Sequence, residues 1–109
     1  MNKCLLTTAL AVLTGFGASV HAKTAGTSIG RHLAKTVCGA CHQTEAGSAL
    51  PSPNPKAPSF AEISRMPSMT DLAIKVFLRS PHPSTPNIIL SPEEIDSVTA
   101  YIRSLSRKE

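Results

Sequence analysis

The sequence predicts an all-α domain of three to four helices, and three observations carry that expectation. Apolar residues recur at helical spacing in separate stretches, most of them headed by a capping signal. No apolar segment of period two is long enough to build a sheet. The first helical stretch ends in Cys38-Gly39-Ala40-Cys41-His42, a pattern that reads as a c-type haem attachment site.

The chain opens on a leader. Lys3 supplies a positive start, Leu5 to Val20 is apolar but for Thr, Ser and Gly, and Val20-His21-Ala22 offers a cleavage site. Residues 1–22 therefore read as a signal peptide. The stretch is too short and loosely apolar for a membrane span, so no stable membrane insertion is expected after cleavage. Cys4 precedes the apolar run, which excludes a lipoprotein cysteine, and it leaves with the leader. Residues 23–109 then form one domain. Its only Phe or Tyr rings are Phe60, Phe77 and Tyr101, and it has no Trp, a thin core for a small domain without a staple or a bulky cofactor. Eleven Lys or Arg against seven Asp or Glu give a net charge of +4, or +3 once Lys3 is lost. No basic stripe with interleaved aromatics is present, which argues against nucleic acid as a partner.

Thr27 or Ser28 is placed to cap a first helix running to about Val37. Ile29, Leu33 and Val37 form its apolar stripe, with Arg31, His32 and Lys35 off it. Gln43 to Pro58 is a loop, since Gly47, Pro51, Pro53, Pro55 and Pro58 forbid regular structure. Ser59-x-x-Glu62 is a capping box for a short helix to about Arg65, with Phe60 and Ile63 facing inward. Pro67 stops it. A further helix starts at Met69 or Thr70 and ends at Arg79, before Pro81. Met69, Leu72, Val76 and Phe77 are expected to share its buried face, widened by Ile74 and Leu78. Pro81, Pro83 and Pro86 keep the next segment irregular. Ser91-Pro92-Glu93-Glu94 caps a last helix to Ser104 or Leu105, buried through Ile95, Val98, Ile102 and Leu105, with Tyr101 at the edge.

The Cys38–His42 spacing has a chemical reason. Residues three apart leave a helical turn on one face, so each cysteine sulfur can meet one haem vinyl group. His42 follows at once and is the candidate proximal iron ligand. A zinc site would need two further ligands, and the exported chain has no other cysteine. A redox pair of the thioredoxin kind would need a βαβ setting.

Taken in order, the chain resembles a small bacterial class I cytochrome c. Gly30-x-x-Leu33-x-x-x-x-Cys38-x-x-Cys41-His42 is similar to the family's first helix and attachment site. Ala57-Pro58-Ser59-Phe60 resembles the segment whose proline carbonyl accepts the proximal imidazole N–H, which makes Pro58 the expected partner of His42. Pro86 through Ser104 is similar to the family's final helix. The resemblance implies a cytochrome c-like fold around one covalently attached haem c, with the first and last helices crossed through Leu33, Val37, Val98 and Ile102.

The resemblance breaks at one place. The family usually carries Met before its last helix as the sixth iron ligand, and here Thr85 stands in His82-Pro83-Ser84-Thr85-Pro86. Four readings of the sixth position stay open: an open or water-bound iron under Thr85, His82 as a nitrogen ligand, Met66 or Met69 as a thioether ligand, or Asn87. The first expectation is a periplasmic carrier of single electrons, not an enzyme in its own right, free or as the electron-transfer subunit of an oxidoreductase. Its partners would be a dehydrogenase, an oxidase or a membrane cytochrome complex. The second is a five-coordinate haem protein that binds a gas such as nitric oxide. The third is a haem-free helical module with a redox pair. Thr85→Met is expected to install His–Met ligation and raise the reduction potential; an unchanged absorption spectrum would show that this loop does not face the iron.

Overall fold

The computed structural model describes residues 18–81 and 88–106. His82, Thr85 and Asn87 lie outside them, as does all of the expected leader but Ala18–Ala22. The elements are α1 (Ala18–Leu33), a π-helical turn (Ala34–Cys38), α2 (Phe60–Arg65), α3 (Asp71–Arg79) and α4 (Pro92–Leu105), with no strand among the described residues. None of these helices is long and apolar enough to cross a membrane.

The first helix differs from expectation at its start. It is already helical at Ala18, the first described residue, rather than starting at Thr27 or Ser28. No proline interrupts Ala18–Ala25, and its alanines favour helix. Ser28 does not cap: its hydroxyl donates back to Thr24 O at 3.1 Å, the bond of a serine inside a helix.

The other helices begin where their capping residues place them. Ser59 accepts from the Glu62 amide, and Glu62 returns a bond to the Ser59 amide. Ser91 and Glu94 repeat that box, with Pro92 at the first helical position. Thr70 caps α3 by accepting from the Ala73 amide.

α4 is the organising element and touches α1, α2 and α3. It buries Ile95, Val98, Thr99, Tyr101, Ile102 and Leu105. Each large apolar side chain so removed from water contributes roughly 1.5–3 kcal/mol. Tyr101, expected at the edge of the stripe, is only 4% exposed. The core joins Ala34, Phe60, Ile74, Val98, Tyr101, Ile102 and Leu105, with Leu33, Cys38, Ile63, Met69 and Leu78 packed around it.

Two expected faces are rotated. On α1 and the π turn that continues it the inward residues are Gly30 and Ala34, while Ile29 is 53% exposed and Val37 lies outside the core cluster. Close approach of backbones decides this: a Cβ on Gly30 would fall 1.9 Å from Ser97 O and 2.9 Å from the Tyr101 Cβ. The smallest residues must therefore face α4, and the larger ones turn aside. On α3 the inward residues are Ile74, Leu78 and Met69, while Leu72, Val76 and Phe77 are exposed. Two ion pairs, Lys75–Asp96 at 2.7 Å and Arg103–Asp71 at 3.0 Å, hold α3 against α4 in that rotation.

Gly30→Ala should lower stability by about 1–3 kcal/mol, the usual cost of overpacking. Urea unfolding of the purified protein reads it as a lower midpoint.

Candidate functional site

The site grows out of the end of α1. The helix passes into the π turn, and the chain then doubles at Cys38, whose carbonyl accepts from the amides of Cys41 (3.1 Å) and His42 (3.0 Å). The two cysteines are half-buried, and both thiols are free. Burial pushes the Cys38 thiol up to about 11, so it stays protonated at neutral pH. A nucleophilic redox cysteine needs the opposite shift. Among the described residues no three His, Cys, Asp or Glu side chains converge on a metal-binding point.

His42 Nδ1–H donates to Pro58 O at 2.6 Å. That bond fixes the tautomer and leaves the Nε2 lone pair for an iron. The Phe60 ring stands beside the imidazole, with centroids 5.4 Å apart and planes tilted by 53°; Phe60 itself is 3% exposed. The structure thus brings His42, Pro58 and Phe60 together across the loop.

Backbone bonds hold the loop in place. Asn54 N donates to Cys41 O (3.0 Å), and Phe60 N donates to Gln43 O (2.9 Å). Gln43 N donates to Ser52 Oγ at 3.0 Å, and the Gln43 side chain bonds Ser48 Oγ and the Glu45 amide. Tyr101 of α4 donates its phenol O–H to Thr44 O at 2.6 Å. Burial raises the phenol's pKa, as does the nearby Glu45 carboxylate, which keeps it a donor. The Arg31 guanidinium, on α1, meets Glu45 at 2.6 Å. Each residue from Cys41 to Glu45 is therefore tied to a second segment or to its own loop.

The remaining candidates scatter. Met66 ends α2 and is 37% exposed. Met69 packs against the core, and its carbonyl accepts from Arg103 at 3.3 Å. Sequence reading missed Gln43, Ser52, Glu45 and the Tyr101–Thr44 bond. Only Tyr101 carried a signal, since a buried phenol normally finds a partner. The others depend on how the loop folds back.

The residues found here fit a covalently held haem by their donor set: two free thiols three residues apart and an imidazole with one nitrogen already committed. The family model described as Cytochrome c matches residues 28–106. The chain is 37% identical over 94 residues to a protein named Cytochrome c-552 from Bradyrhizobium diazoefficiens, spanning 86% of this chain and 88% of that one. No solved structure matches.

The Arg31 guanidinium, by its hydrogen bond and then its charge, holds the Glu45 carboxyl below its ordinary value. A depressed folded-state value adds stability above the ordinary carboxylate range, and that stability is lost as pH falls through the lowered value. Glu45→Gln should therefore destabilise at neutral pH, and the difference should close in acid and shrink in high salt. Urea unfolding of both proteins across pH checks it.

Proposed function

This chain belongs to the cytochrome c family, with residues 28–106 matched to its model, and from that premise we propose that it passes single electrons between redox proteins of the periplasm. The family identifies a haem electron carrier with a covalently bound haem c; its members' role as carriers fits a protein that is not an enzyme. The residue roles and the location are our reading. Cys38 and Cys41 would each hold the haem through a thioether, and His42 Nε2 would bind its iron.

One observation carries this assignment: the His42–Pro58 bond of 2.6 Å prepares an imidazole for iron on the same turn that presents two thiols. When bound, the haem supplies a one-electron couple. The chain's own residues do the rest. Pro58 O draws on the Nδ1 proton, which makes Nε2 a stronger donor and lowers the potential relative to an unbonded imidazole. Phe60 walls the proximal side and excludes water. The ties at Cys41, Gln43 and Thr44 keep His42 still, so little rearrangement accompanies a change of charge. Leu72, Val76 and Phe77 give α3 an apolar face that is largely exposed among the described residues, a suitable surface for a large flat apolar group.

Export is supported by the leader pattern of residues 1–22 and by the start of the family match beyond it. The partners that suit such a carrier are a dehydrogenase, an oxidase or a membrane cytochrome complex. For the sixth position an open or water-bound iron under Thr85, His82, Met66, Met69 and Asn87 all stand as readings; packing against the core weighs against Met69. No observation favours the gas-binding reading.

Intact-mass analysis of protein from the periplasm tests the proposal. The expected mass is that of residues 23–109 plus one haem, with cleavage after Ala22. Cys38→Ser and Cys41→Ser together should abolish covalent haem. A native chain without the added mass would overturn the residue assignment; a haem-bearing chain that keeps residues 1–22 would overturn the cleavage.

A further inference from the structure

Gln43 stands directly after His42, and each of its four polar atoms has a partner. The amide N–H donates to Ser52 Oγ at 3.0 Å, and the carbonyl accepts from the Phe60 amide at 2.9 Å. The side-chain oxygen accepts from the Glu45 amide at 2.9 Å. The side-chain nitrogen donates to Ser48 Oγ at 3.0 Å, and that hydroxyl also accepts from the Leu50 amide at 3.2 Å. The side chain cannot be turned end for end, because the Glu45 amide has only a proton to offer. One half-buried residue therefore braces the start of the loop with its side chain and reaches residues 52 and 60 with its backbone.

The backbone reach bears on His42. Two bonds cross between the same two stretches of chain. His42 Nδ1–H donates to Pro58 O at 2.6 Å, and Phe60 N–H donates back to Gln43 O. Pro58 is two positions from Phe60, so the second bond keeps the first within reach. Pro58 is exposed, and water competes for its carbonyl as soon as the returning chain draws away. The side-chain brace sets the direction of the Gln43 N–H and C=O, and so the place of that returning chain. Glutamine suits the position because an uncharged amide donates and accepts at once, whereas a carboxylate only accepts and an ammonium only donates.

We propose that Gln43 is a positioning residue for the proximal ligand: its side-chain amide folds the start of the loop so that the Pro58 carbonyl stays on His42 Nδ1. This rests on the reading of His42 as the iron ligand made above. With the brace in place the Nδ1 proton remains shared with Pro58 O, and Nε2 stays a strong donor. Without it the loop slackens, the proton meets water, Nε2 donates less and the reduction potential rises.

The test uses the full chain matured with haem in a bacterial periplasm. Gln43→Leu keeps the bulk and removes both side-chain bonds. Ser48→Ala breaks the same brace from its far end. Ile95→Val, which trims a buried side chain near the start of α4, is the control of similar cost to stability. Two quantities are read: exchange of the His42 Nδ1–H with solvent, by proton NMR of the reduced protein (under carbon monoxide if its iron is high-spin), and the reduction potential. Gln43→Leu should exchange that proton about tenfold faster and raise the potential. Ser48→Ala should move both in the same direction by less, and Ile95→Val should leave both as in wild type. Should Gln43→Leu fail to take up haem, Ser48→Ala decides by the same two readings. Wild-type exchange and potential in both brace variants would overturn the proposal, and so would equal changes in Ile95→Val. A His42→Gly variant with an unchanged iron spectrum would bring down the ligand assignment, and this proposal with it.

Discussion

Backbone meets backbone where α1 crosses α4, at Gly30 and Ser97. The gap is too narrow for a methyl group, so the crossing dictates which residues of α1 face inward. That fixes the phase of the helix that leads into Cys38. It also sets the height of α4 against the loop, and so lets the Tyr101 phenol reach Thr44 O. A wider crossing would slacken both connections.

From that crossing the structure reaches His42 by two routes. One runs through the chain, along α1 and the π turn, and the other through space, from α4 by Tyr101 to the segment just after His42. The long loop between residues 43 and 58 closes the circuit by carrying Pro58 O to the imidazole and Asn54 N to Cys41 O. A loop rich in proline loses less entropy on ordering, and Gln43 and Ser48 supply side-chain bonds in place of a regular ladder. An imidazole held on this many sides suits a carrier, whose ligand must not move as an electron arrives.

Charge plays a smaller part. The ion pairs of Arg31, Lys75 and Arg103 lie at partly exposed edges, where such pairs contribute little each. They join α3 to α4 in the rotation that its buried Ile74 sets, and they fasten the loop to α1.

Local chemistry was legible in the residues alone. Ser59, Thr70 and Ser91 marked their helix starts because a cap is a bond between near neighbours. Cys38-x-x-Cys41-His42 named its cofactor because the chemistry lies within one turn, and the spacing of Ile95, Val98, Ile102 and Leu105 showed the inner face of α4. What escaped was everything set by two distant segments meeting. Ile29 and Val37 look like a stripe until the crossing at Gly30 requires small residues there. Leu72, Val76 and Phe77 look like core until α3 docks through Ile74. No spacing rule announces that Gln43 will meet Ser52 and Phe60, or that Tyr101 will find Thr44. Helix periodicity says only that a helix has an apolar side; which side is buried depends on how near the neighbouring backbone comes, and that distance belongs to the folded molecule.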